Sequence, residues 1–172
     1  MIPNELPEPW LRGTLTEIPA VQRAVLHALE LAKEDLERWC DGLSDDELNA
    51  RPGGIAPVAF HIKHIARSMD RLLTYAEGNQ LSAEQISQMK SEMDPAGSKN
   101  ELMAGLVVAL AKSGKRIRAF QPHQMEEARG VGKKQLPTSV GGLLVHVADH
   151  TLRHVGQAIT TAKIVVAQRA EP

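Results

Sequence analysis

In four long segments the apolar side chains return every three or four residues, the spacing that lines them up on one face of an α-helix. Ile18, Val21, Val25, Ala28, Ala32, Leu36 and Trp39 do so over about 17–40, and Val58, Ile62, Ile65, Met69, Leu72 and Ala76 over about 57–77. Leu102, Leu106, Leu110 and Ile117 follow over about 98–120, and a fourth segment runs over about 139–168. At ~1.5 Å per residue these helices reach roughly 30 to 45 Å, similar enough in length to pack side by side. An all-α, four-helix bundle is therefore expected, as one domain over 1–172. Aromatic residues are only 3% of the chain, so aliphatic side chains must fill the core.

The connections are long. Residues 1–15, with Pro3, Pro7 and Pro9 around Trp10, predict an extended arm laid over a surface, and Pro19 is expected in the first turn of the first helix. Ser44 can cap a short helical turn that ends before Pro52, and another short helix is expected over Ser82–Lys90. Ser98 followed by Glu101 spells a capping box for the third long helix. The polar, glycine-bearing stretch 121–138 is expected to be irregular, with no strand alternation anywhere in the chain.

Charge narrows the function classes. Twenty basic and 21 acidic residues give a net charge of −1, which argues against nucleic acid or an anionic membrane as partner. The cluster Lys112, Lys115, Arg116 and Arg118 is expected to be a solvated helix face. The amino-terminal stretch lacks the basic start and apolar run of a signal peptide, and no stretch approaches the ~20 apolar residues of a membrane span. The expected location is the cytoplasm. A single cysteine, Cys40, beside seven histidines rules out a cysteine-rich zinc ribbon, so a metal would be held by imidazole and carboxylate. Cys40 itself is expected to be packing rather than a nucleophile.

Five of the seven histidines fall in two helical segments. On the fourth helix His146 and His154 lie about 40° to either side of His150, on the same stripe as Leu143, Val147, Thr161 and Val165. A pair four residues apart can aim two ring nitrogens at one ion. On the second helix His61 lies about 40° from the Ile65 direction and His64 about 100°, which favours His61 as the inward residue, though a helix touching two neighbours can turn both inward. A lone buried histidine is usually a core residue satisfied by hydrogen bonds. Several imidazoles buried together in an aliphatic core need a partner charge or an ion.

Three stretches carry a resemblance: Phe60-His61-Ile62-Lys63-His64-Ile65-Ala66-Arg67-Ser68-Met69-Asp70-Arg71, Leu136-Pro137-Thr138, and His150-Thr151-Leu152-Arg153-His154-Val155-Gly156-Gln157. Their order over residues 15–168 resembles the DinB-like (DinB/YfiT) metal-binding four-helix bundles, the His-x-x-x-His closely followed by Gly-Gln being the most specific part. The resemblance implies a three-ligand metal site of His64, His150 and His154, with His61 and His146 as outer or substrate-facing neighbours and Gln157 placed to bond a ligand ring or a bound water. Three protein ligands leave positions open for water or substrate, and an all-histidine set suits zinc, nickel or iron. Relatives in the wider family include thiol-cofactor-dependent transferases and an isomerase, so a low-molecular-weight thiol is a possible co-substrate.

Other motifs carry less. His146-Val147-Ala148-Asp149-His150 superficially resembles an inverted zincin signature, but Asp149 points about 100° away from His150 and is expected to face solvent or support the site from outside. Gly130-Val131-Gly132-Lys133-Lys134 lacks the spacing of a phosphate loop and is expected to be a mobile loop. Tyr75 and Arg71 are candidates to line a pocket on the His64 side, while His27 and His123 are expected to be incidental. Two functions remain in view: a metal-dependent transferase or hydrolase acting on a small molecule, or a non-catalytic metal-binding or interaction module. A homodimer is expected in either case. No carboxylate lies on the histidine stripe of the fourth helix to serve as a base.

Overall fold

Serine caps set the starts of most helices. The hydroxyls of Ser44, Ser82 and Ser98 each accept from the backbone N–H three residues on, and Glu47, Gln85 and Glu101 bond back to the serine N–H, closing three capping boxes. Ser139 accepts from Gly142 N–H and opens the last helix. The computed structural model, which describes residues 6–169, comprises α1 (Ala20–Cys40), α2 (Asp45–Asn49), α3 (Val58–Ala76), α4 (Ala83–Lys90), α5 (Lys99–Ala119) and α6 (Val140–Gln168); the serines cap α2, α4, α5 and α6, while Pro19 and Pro57 precede α1 and α3. Gly78, at φ +83°, stops α3: its N–H bonds the Tyr75 carbonyl and the Asn79 N–H bonds Thr74.

The protein is predominantly helical, the all-α class expected from its sequence. α3 packs against both α6 and α5, and α1 closes the ring by packing on the same two helices. Leu36, Ile62, Ile65, Met69, Leu73, Leu106, Ile117 and Leu144 are all 1% exposed or less. Each such side chain contributes about 1.5–3 kcal/mol by leaving water, so aliphatic packing among these helices frames the histidines.

Three expectations are corrected. The stretch expected to be irregular, 121–138, instead supplies most of a two-stranded antiparallel hairpin, β1 (Ala128–Val131) and β2 (Leu136–Ser139), with Val131 opposite Leu136 and Ala128 opposite Ser139. Gly130–Lys134 is therefore the end of a strand and part of its turn rather than a free loop; Gly132 at φ +70° and Gln135 at φ +51° reverse the chain. Pro19 is the N-cap of α1, extended at ψ 150°, so that helix begins at Ala20 rather than near 17. Within the arm, Pro9–Leu11 forms one 3₁₀ turn. Arg12 anchors it to α1 by bonding Glu30 and Glu34, and Trp10 faces solvent. Residues 1–5 of the arm lie outside the described residues, as do 170–172. Among the described residues, no helix is long and apolar enough to cross a membrane.

Candidate metal centre

α3 and α6 lie side by side, and their facing turns bring histidines from the two helices together. His64 Nε2 sits 2.9 Å from His150 Nε2, and one ring nitrogen from each of His64, His150 and His154 falls within 4.8 Å of the other two. The ring centroids are 4.3 Å apart for His64 and His154 and 4.7 Å for His150 and His154. Two imidazole nitrogens this close meet either as an N–H against a lone pair or as two lone pairs on one cation. Donors at the usual ~2.0–2.1 Å from a zinc-sized ion are roughly 2.9 to 3.4 Å apart for angles between square and tetrahedral, so the His64–His150 spacing fits a shared ion.

The surroundings hold these rings in place and keep His61, His150 and His154 neutral. His61, only 5% exposed, sets its Nδ1 3.0 Å from His154 Nδ1, which leaves the far nitrogen of His154 for the cluster. Phe60 stacks on His64 and meets His61 edge-on. Burial, then the neighbouring imidazoles, push His150 and His154 down to about 4; burial and His64 do the same to His61. At neutral pH these rings carry lone pairs rather than charge, the form a metal requires.

One residue of the site escaped the sequence. Glu92, in the segment between α4 and α5, is buried, its side chain 5% exposed, with Oε2 2.7 Å from His64 Nδ1 and Oε1 accepting from Arg71 at 2.7 Å. Burial alone would raise its carboxyl, but hydrogen bonds from His64 and Arg71 and the charge of Arg71 hold it below the ordinary value. No periodicity marks Glu92, because it lies outside every long helix.

The remaining candidates separate. His146 is half exposed beside His150, and its Nδ1 lies 2.8 Å from Asp149, which also accepts from Arg153. Gln157 and His61 line one cavity of about 580 Å³, together with Arg153, Thr160, Ile55 and Ala56. Tyr75 does not join the cluster: it is buried in the last turn of α3, eleven residues and roughly 16 Å along the axis from His64. Arg71 belongs to Glu92 rather than to a pocket wall. Arg116 is not merely solvated, since it bonds Asp70 and Glu77 across the α3–α5 contact. His27 is buried and bonds Thr14, pinning the arm, whereas His123 is exposed. Cys40 is buried, which pushes its thiol up to about 11 and keeps it protonated.

The wheel and the structure differ on α3. His61 is the more deeply buried of its two histidines, as its angle predicts, yet His64, with a side chain 17% exposed, is the one whose nitrogen meets His150. A site able to admit a ligand sits at the rim of the core rather than at its centre.

No curated protein matches the chain. Among solved structures, a conserved protein from Enterococcus faecalis superposes with a TM-score of 0.72 over 87% of this chain and 99% of its own, at 18% identity, a likeness of fold alone. The DinB superfamily model matches residues 28–158, a span that begins within α1 and includes His64, His150 and His154. By that match the chain belongs to the DinB superfamily.

Proposed function

We propose that His64, His150 and His154 hold a divalent transition metal, zinc, nickel or iron, and that the protein is a metal-dependent transferase or hydrolase acting on a small molecule. The observation that carries this reading is the convergence of three half-buried imidazole nitrogens from two helices. Three histidines leave coordination positions for water or substrate. A metal bound there would lower the pKa of a coordinated water or of an incoming low-molecular-weight thiol, supplying a nucleophile at neutral pH.

The chain's own residues have separable tasks in this scheme. His61 holds His154 through the Nδ1–Nδ1 contact and forms part of the wall of the 580 Å³ cavity, so a molecule bound there lies one imidazole away from the ligand set. The Arg153 guanidinium and Gln157 amide offer that molecule a cation and a two-way hydrogen-bonding group, while Ile55 and Ala56 offer apolar surface. The His146–Asp149 pair beside His150 supplies a ring nitrogen as proton acceptor, a role that no carboxylate on the α6 stripe fills.

The test is metal content followed by turnover. The purified protein is expected to carry close to one equivalent of transition metal, and the His150→Ala, His154→Ala double variant essentially none. With metal present, thiol consumption against a panel of electrophilic small molecules should depend on both histidines. A wild type with no more metal than the double variant overturns the reading; metal without turnover reduces it to a binding module.

A further inference from the structure

Three cations stand four residues apart on α3, and all three bind the same stretch of chain. Lys63 donates to the Asp94 carbonyl, Arg67 to the Gln88 carbonyl at 2.7 Å and to Ser91 Oγ at 3.3 Å, and Arg71 to Glu92 Oε1 at 2.7 Å. Spacing by four keeps them on one side of the helix, so together they clamp residues 88–94 along it. Asn49 fixes the far end of this segment through two bonds to the Ala96 backbone. The clamp delivers one carboxylate inward. Glu92, 4% exposed, bridges Arg71 to His64 Nδ1.

A buried carboxylate is costly unless every oxygen is engaged, and here one oxygen meets Arg71 and the other His64. Because an ionised carboxylate can only accept, the His64 nitrogen facing it must be the protonated one. In the neutral ring that assignment leaves Nε2 as the lone pair, and Nε2 is the nitrogen 2.9 Å from His150. We propose that Glu92, held by Arg71 and the clamped segment, is a positioning residue that fixes the ring orientation and Nδ1–H tautomer of His64, and so presents its Nε2 to the metal. The inference rests on the metal site proposed above. It gives that site an outer carboxylate from a part of the chain that carries none of the three ligands.

Nitrogen NMR of the histidine side chains in the metal-free protein, near pH 8, reads the tautomer directly. Wild-type His64 should show Nδ1 protonated and Nε2 bare. Glu92→Ala should move it toward the Nε2–H form and weaken zinc binding, measured by competition with a chelating dye, by about 10- to 100-fold. Glu92→Gln, whose amide oxygen can still accept from Nδ1–H, should keep the tautomer and lose less affinity than Glu92→Ala. If Glu92 were only half of a structural ion pair, Glu92→Ala would lower the melting temperature while tautomer and zinc affinity stayed put. That result overturns the proposal, as would equal loss of zinc in both variants. A wild type that binds no zinc defeats the metal site instead, and the metal-free tautomer then decides the role of Glu92 by itself.

Discussion

Two polar clusters grow out of α3, and they are built on different chemistry. Toward α4 and α5, Arg116 bonds Asp70, Thr74 and Glu77, while Gln85 bonds Asp70 and Thr74. Every charged group there meets an opposite charge or a hydroxyl, and the network closes on itself. Toward α6, one Arg–Glu pair supports four imidazoles whose nitrogens face one another at 2.9 and 3.0 Å. Burial keeps His61, His150 and His154 uncharged, with lone pairs to share, so this cluster is a candidate to bind something the other cannot. The lesson is that burial of polar groups does not distinguish a site from a staple; unspent coordinating capacity does.

Removing a proposed ligand should separate the two clusters most sharply. His64→Ala is expected to weaken zinc binding by at least ~100-fold, beyond the range for outer partners, with helical content by circular dichroism unchanged. Affinity within a few-fold of wild type would place the metal elsewhere.

Acid should act on the imidazole cluster. His61, His150 and His154 titrate at about 4 in the folded protein against an ordinary 6.5, so between those values the unfolded chain binds more protons than the folded one. The metal-free protein should therefore have full stability from these groups above pH 6.5 and lose it progressively as pH falls toward 4. Thermal melting at a series of pH values checks this, and the His150→Ala, His154→Ala variant, lacking two of the three groups, should show a flatter profile. A wild-type profile no steeper than the variant's would mean that the rings are not desolvated in the way their surroundings imply.

The smallest effect is expected from the closed network. Arg116→Ala removes its bonds to Asp70 and Glu77 and should destabilise the fold by about 1–2 kcal/mol in urea titration. Zinc affinity should not change, and a parallel loss of metal would show that the two clusters are coupled through α3.

How much of this was legible beforehand depends on whether a residue sits in a periodic element. The long helices follow from apolar spacing, and His150 and His154 share one helix face, where a spacing of four is meaningful without any tertiary knowledge. His64 was not settled by its angle, because partial burial at the rim looks on a wheel like exposure. Glu92 was invisible: its position is set by Lys63, Arg67 and Arg71 reaching across to a segment with no period of its own. The spacing of those three cations was the available clue. The β1–β2 hairpin was missed for a related reason, since four-residue strands reading Ala-Arg-Gly-Val and Leu-Pro-Thr-Ser carry no alternation of apolar and polar faces.

The central claim is that three imidazoles from α3 and α6 share one metal and leave it open. X-ray absorption at the metal edge of the loaded protein tests this most directly. The expected spectrum shows about three imidazole nitrogens at ~2.0–2.1 Å, completed by one or more light oxygen scatterers that change when a small-molecule thiol is added. A shell without histidine scattering, or one closed by four protein ligands and indifferent to added thiol, would contradict it.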